Sequence, residues 1–322
     1  MAASKLMTAR DAIARFVDDG DTVYAGYTCI AFGLCYEIIR QRKKRLEVVG
    51  GSVGQQATLM ILAGCVDRVR SGYLGGALRP GVITEMMSDG RLHYEDYSNQ
   101  AIALMLMAGA LGIPFIPTRS FLGTDYLRPE FADHPGAFLG DQKWAEMESP
   151  FDGQKVVLLP ALRPDVTVLH AQRADEEGNI HAWGHQGDSK WAYWAAKKVI
   201  VSAEEIVPAS AIRSDPSRTI VPGFRVSAVV HMPWGGHPSS ITGYYDYDYG
   251  FMAKTMRGIT GSLAAYEAFA AEWIDGVEDH AAYMAHYREV FGQAAIDRLV
   301  ASHGPEPELP VRYTHAPTLG FR

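Results

Sequence analysis

An α/β protein with an open, mainly parallel sheet and helices on both faces is the fold class this sequence predicts. Three observations predict it. Short β-forming runs alternate with glycine turns and helical stretches. The 322 residues suit one elaborated α/β domain or two tightly joined lobes. Asp165 to Gly184, DVTVLHAQRADEEGNIHAWG, joins a buried-looking strand carrying Val166, Val168 and Leu169 to a tight turn, Asp175-Glu176-Glu177-Gly178-Asn179, and a second strand.

The elements follow in order. Thr8 can cap a helix through Val17 with Ile13 and Phe16 on its inner face, and Asp18-Asp19-Gly20-Asp21 breaks it. A strand from Thr22 to Ala25 ends at Gly26-Tyr27. Cys35 to Arg42 reads as helix, Leu46 to Val49 as strand, and Gly50 to Gly54 as a glycine-rich exit into a helix from Ala57 to Ala63. Val66 to Ser71 is another strand, closed by Gly72-Tyr73-Leu74-Gly75-Gly76. From Glu95 to Leu111 most positions are Ala, Leu or Met, which predicts a helix buried almost all round. Gly112 caps it, and Ile113 to Pro117 is extended. Leu127 to Asp152, rich in Pro, Gly and aromatic residues, is expected to be irregular, as a lid or a partner-contacting loop. Strands follow at Val156 to Pro160, Val166 to Ala171, Val199 to Ser202 and Val226 to Met232, then helices at Ser262 to Val277 and Ala281 to Gly292. His303 to Leu309 carries two prolines and reads as a tail. Residues 1–260 form the expected α/β domain and 261–322 a helical extension and tail packed on it. Active groups belong at the carboxyl ends of the strands.

Composition removes several function classes. Hydrophobic residues at 48% and charged residues at 21% describe an ordinary soluble protein. A formal charge of -7 gives no basic footprint for nucleic acid. The one basic run, Arg40, Arg42, Lys43, Lys44 and Arg45, suits a helix C-terminus better than a polyphosphate site. Cys29, Cys35 and Cys65 are too few and too irregular for a disulfide framework, so reduced, cytoplasmic thiols are expected. The first residues, MAASKLMTARDAIARFV, read as an amphipathic helix with no apolar signal core, and no run of about 18 apolar residues is present. His170, His181, His185 and His237 lack the spacing of a helical metal pair, and neither HExxH nor CxxC occurs, so no metal is expected.

Three blocks carry a resemblance. They are Asp165 to Gly184, YEDYSNQAIALMLMAGALGIPFIP from Tyr94 to Pro117, and HPSSITGYYDYD from His237 to Asp248. Together they resemble the A (alpha) subunit of a family I CoA-transferase, from about Met7 to about Leu299. The resemblance implies a ribose-5-phosphate isomerase-like fold and, as partner, a homologous B subunit in an α2β2 assembly. It implies that CoA moves between small carboxylic acids, coenzyme A being a substrate, with no permanently bound cofactor. The attacking glutamate, which forms an acyl anhydride and then a glutamyl-CoA thioester, would belong to the B subunit. No catalytic residue is therefore expected here, and the chain alone should be inactive.

What remains for this chain is the other wall of the pocket. Gly51, Ser52 and Val53 follow a strand where absent side chains let backbone N–H groups approach an oxyanion or carboxylate, although glycines there also serve a plain strand-to-helix turn. Gly75 and Gly76 invite the same reading after the next strand. Tyr27 departs from the family's Gly-Gly-Phe. Ser98 and Asn99 open the long helix, where its dipole favours an anion, or where Ser98 serves only as a cap. Arg119 has the geometry to clamp a carboxylate bidentately, or to make a surface ion pair. The Trp234-Gly235-Gly236-His237-Pro238-Ser239 loop resembles a family segment, and Tyr244 to Tyr249 resembles a subunit contact. Two alternatives stand beside this. A CoA-ester hydrolase would use Glu95 as base, although Asn99 stands closer to the position such a residue occupies. A non-enzymatic ligand sensor would need a DNA-binding module for which the chain has no spare length.

Overall fold

The computed structural model describes residues 4–26, 28–75, 80–128 and 143–300. Twelve strands are described: β1 (Thr22–Tyr24), β2 (Leu46–Gly50), β3 (Val66–Ser71), β4 (His93–Asp96), β5 (Phe115–Thr118), β6 (Ala145–Glu148), β7 (Lys155–Pro160), β8 (Val166–Ala174), β9 (Ile180–His181), β10 (Lys198–Ile206), β11 (Thr219–Val221) and β12 (Ala228–His231). The helices are α1 (Ala9–Phe16), α2 (Phe32–Arg40), α3 (Gln55–Leu62), α4 (Val82–Ser88), α5 (Asn99–Leu111), α6 (Ser189–Ala195), α7 (Ala209–Ser214), α8 (Tyr249–Lys254), α9 (Leu263–Trp273), α10 (His280–Phe291) and α11 (Gln293–Leu299).

Seven strands lie parallel in the order β4-β3-β2-β1-β8-β10-β12, and β9 and β11 add an antiparallel extension beside the end of β8. The order runs outward from β1 to β4 and then restarts at β8. The β1–β8 boundary is thus the topological switch point, where ligands of such sheets collect at the carboxyl ends. A separate antiparallel sheet has the order β5-β7-β6.

The side-chain period of two explains the layering. Val23, Val48, Val166, Val168 and Ile200 point into one core with α1 to α4 and α8 to α11. Their neighbours Tyr24 and Val49 point into a second core under α5, α6 and the small sheet. Leu169, Val199 and Val201 face a third cluster beneath β9. Phe269, Trp273 and Tyr283 of α9 and α10 lie in the same cluster as α2 and α3, so the C-terminal helices share the first core.

Most expected elements are present, with three differences. Residues 93–96, two of which (Glu95 and Asp96) the composition assigns to a helix, pair with Arg68–Ser71 as a parallel edge strand, and α5 starts only at Asn99. Part of the stretch expected to be irregular is β6, held by β7 through Ala145–Leu158 and Met147–Val156 pairs; residues 129–142 of it lie outside the described residues. Helix α2 begins three residues early at Phe32, extending its buried face. The Asp175-to-Asn179 turn, by contrast, returns β8 into β9 as expected, with Asp175 Oδ1 accepting Asn179 N–H at 2.8 Å. From α5, no residue between Ala101 and Ala110 is exposed, and Gly112 ends the helix at φ 73°.

Candidate active site

The exits of β2 and β3 are zipped together beyond the strands. Gly72 N–H donates to Gly51 C=O at 3.0 Å, Val53 N–H to Tyr73 C=O at 2.9 Å, and Gly75 N–H to Val53 C=O at 3.0 Å. This fixes the glycine loop rather than leaving it free to choose a conformation. Helix α3 then starts at Gly54, which supplies no side-chain cap, so its first turn of N–H groups meets no side-chain acceptor.

Two neighbours press on the loop from the α5 side. Asp188 Oδ2 accepts Gly51 N–H at 2.7 Å while its Oδ1 accepts the Tyr24 hydroxyl at 2.8 Å. Burial, with the Asp188 carboxylate beside it, raises the Tyr24 phenol well above its ordinary pKa, so it stays a donor. The start of α5 is the second neighbour. A Cβ on Gly72 would stand 2.4 Å from Asn99 N, so only glycine allows this approach, and one on Gly51 would crowd Asp188 Oδ2 at 3.0 Å. Ser98 Oγ accepts Ala101 N–H at 3.1 Å, the capping role that the sequence left open.

Beside the loop lies a cavity of about 510 Å³ whose lining includes Ser52, Gly54 and Gly75. Ser239, Tyr73 and Tyr247 also line it, and Met252, Met256 and Ile259 add apolar surface. Its size falls in the ~300–1,000 Å³ range of small-molecule sites. No Asp, Glu, Lys, Arg or His is among the described residues lining it.

The structure therefore brings Gly51, Ser52, Val53, Gly75, Ser98 and Asn99 to one place, the carboxyl ends of β2 and β3. Within that group the Gly51 N–H is already engaged, and Ser52 and Gly75 line the cavity. Arg119 stands elsewhere, exposed beyond β5 on the small sheet, and does not line the cavity. Gly76 and Tyr27 lie outside the described residues. Glu95 sits on the opposite side of β3, where its carboxylate lies 3.5 Å from Arg70 Nε and accepts the Tyr97 hydroxyl at 3.3 Å. Burial raises its pKa, and Arg70 and Lys143 oppose that rise. The basic run is absorbed by the fold: Arg40 Nε donates to Ile274 C=O at 2.9 Å and Arg42 pairs with Asp275 at 2.8 Å.

The histidines are structural partners. His170 bridges Ser202 at 2.8 Å and Glu204 at 2.6 Å, and Glu204 also accepts the Tyr245 hydroxyl and Trp234 N–H. His237 bridges Tyr283 and Asp248. Both rings are fully buried and neither lines the cavity beside the glycine loop, so the Ser-His-Glu arrangement is closed to solvent at its histidine. Its effect is to brace the loop that presents Ser239. No cluster of three or more His, Cys, Asp or Glu that could hold a metal occurs among the described residues. No described helix is long and apolar enough to cross a membrane.

Asp188, Tyr24 and the Met252–Ile259 wall were not singled out by the sequence. Asp188 follows a glycine loop, Gly184-His185-Gln186-Gly187, but its contact with Gly51 spans 137 residues and leaves no local pattern.

Known proteins place this geometry. A family model described as coenzyme A transferase matches residues 6–232. The chain is 34% identical over 293 residues to the A subunit of glutaconate CoA-transferase of Acidaminococcus fermentans, covering 87% of this chain and 91% of that protein. It is 34% identical over 296 residues to the A subunit of 3-oxoadipate CoA-transferase of Pseudomonas knackmussii, covering 89% and 99%. The crystal structure of glutaconate coenzyme A-transferase from Acidaminococcus fermentans superposes with a TM-score of 0.82 at 31% identity, over 97% of this chain and 99% of that one. The switch-point sheet, the glycine loops at its carboxyl edge and these near full-length matches together make this chain a member of the coenzyme A transferase family.

Proposed function

We propose that the chain is the A-type half of a two-subunit CoA-transferase, working with a homologous B subunit in an α2β2 assembly. The observation that carries this is its alignment over most of its length with two relatives that are each the A-type half of a CoA-transferase. In this reading a B-subunit glutamate attacks the acyl-CoA carbonyl, passes through an acyl anhydride to a glutamyl-CoA thioester, and returns CoA to the second acid. This chain supplies the facing wall. Ser52 and the uncapped start of α3 meet the acid's carboxyl group, and Asp188 with Asn99 holds the glycine loop rigid behind them. Coenzyme A is bound as a substrate.

The test is direct. Purified alone, the chain should exchange no CoA; with the B subunit from the same source it should exchange CoA, and mass spectrometry should find a CoA adduct on a glutamate of the partner. Exchange by this chain without any partner would overturn the division of labour. A second reading, CoA-ester hydrolysis with Glu95 as base, is favoured by one observation, the burial that raises its pKa. Against it, Glu95 is paired with Arg70 and is not among the described residues lining the cavity. Release of free CoA thiol without an acceptor acid, lost in Glu95→Gln, would favour that reading.

A further inference from the structure

We infer that Gln56 chooses among substrates: its side-chain oxygen, Oε1, accepts a hydrogen bond from an O–H or N–H group of the bound substrate, either a hydroxyl on the acid or an amide of the pantetheine arm of CoA. The inference rests on the transferase reading and names a specificity-determining residue for it.

Gln56 is the second residue of α3, is 1% exposed, and lines the cavity beside the glycine loop. One bond orients its amide: Nε2 donates to Gly26 C=O, at the exit of β1, at 2.7 Å. Turning the amide over would set Oε1 against that carbonyl, two acceptors with no hydrogen between them, so the orientation is fixed. Oε1 is buried and has no hydrogen-bond partner among the described residues. A Cβ built on Gly54 would stand 3.1 Å from it, so the oxygen lies beside the bare backbone of a second residue that lines the cavity. A buried acceptor left unpaired is unfavourable, and a bound substrate that meets it recovers the loss.

The reacting groups cannot meet it. An ionised carboxyl group and a thioester carbonyl only accept, so neither has a hydrogen to give Oε1. The donor therefore lies elsewhere on the substrate. On CoA the donor nearest the thioester is the amide N–H of the pantetheine arm; on the acid it is a hydroxyl. An analogue without that hydrogen leaves Oε1 unpaired beneath the bound ligand, and a site built to pair a substrate O–H or N–H rejects such analogues far more strongly than an apolar wall rejects a change of shape.

The experiment uses the complex of the chain with its B subunit and two matched comparisons. In the first, acetyl-CoA is the donor, and 2-, 3- and 4-hydroxybutyrate are compared with butyrate as acceptors. In the second, butyrate is the acceptor, and acetyl-pantetheine is compared with the same thioester carrying esters in place of its amides. In at least one comparison the compound with the hydrogen should lead by about tenfold or more in kcat/KM, the size expected of one buried acceptor left unpaired. Gln56→Met should bring that ratio to about one, and so should Gln56→Leu, which serves if the methionine variant does not fold. The comparison that responds identifies the source of the hydrogen. Ratios of about one in both, the result expected if residues 76–79 or the B subunit donate to Oε1 instead, overturn the role, and so does a ratio of about tenfold that the variants keep. Binding of the same compounds is followed separately by saturation-transfer NMR. Discrimination in binding that Gln56→Met abolishes, in a complex that transfers no CoA, upholds the Gln56 contact and removes the transferase reading. Neither transfer nor discrimination in binding removes both.

Discussion

Asp188 carries more of this site than any residue with an obvious motif. Its two oxygens accept the Gly51 N–H and the Tyr24 hydroxyl, and it is 8% exposed, so truncation strands the buried Gly51 N–H and leaves the Tyr24 hydroxyl with Ser189 Oγ at 2.9 Å. Asp188→Ala should cost about 1–3 kcal/mol, the penalty of leaving buried polar groups unpaired, measured by urea unfolding. Asp188→Asn, which keeps one acceptor, should cost less and should lower kcat/KM through a looser glycine loop. Equal stability of all three proteins would show that the loop holds itself. Sequence reading reached Ser52, Gly75 and Ser98 because each stands beside a local signal, a glycine exit or a helix start. It missed Asp188 because a hydrogen bond between residues 51 and 188 is a product of topology, and nothing near either residue announces the other. Arg119 shows the converse: a residue type with the right chemistry, placed by the chain on a different sheet.

Among elements, α5 was the most legible and its N-terminus the least. The apolar run from Ala101 to Leu106 and the glycine at 112 fix its body and end. Gly112 takes φ 73°, and a Cβ there would meet nothing within 4 Å, so replacement strains only the backbone. Gly112→Ala should therefore cost about 1–2 kcal/mol in stability and leave transfer kinetics unchanged, since a left-handed residue with a Cβ carries that strain. Glu95 and Asp96, good helix neighbours by composition, became strand because Arg68–Ser71 offered an open parallel edge, and edge pairing outweighs a weak local propensity. The short helices α4 and α6, seven residues each, had too few turns to show a period.

At the scale of the whole molecule, the parallel sheet with covered faces was legible from alternation alone, while its strand order was not, because order depends on which crossovers pass which face. The packed C-terminal helices also set a pH response. Burial pushes the His280 ring down to about 3, and it lowers His237 as well against the opposing Asp248. The folded state keeps these rings neutral while the unfolded chain takes up protons near pH ~6.5, so below that value the unfolded state binds more protons and stability falls as pH falls. Urea unfolding at about pH 7.5 and about pH 5 should differ by about 2 kcal/mol from His280 alone, at ~1.4 kcal/mol for each pH unit below ~6.5. His280→Phe should flatten that slope. An unchanged slope would place the acid sensitivity in other groups.

The switch point has a temporal side. Strand β1 pairs with β2 within a few tens of residues, but its other edge waits for Val166 and Thr167, some 143 positions downstream as counted from the Thr22–Asp165 contact. On a translating ribosome adding ~5–20 residues each second, that edge stays open on the order of 10 s. During that interval the nascent half-sheet offers an unpaired strand to any neighbour, so chaperone shielding matters most before the second half of the chain has emerged.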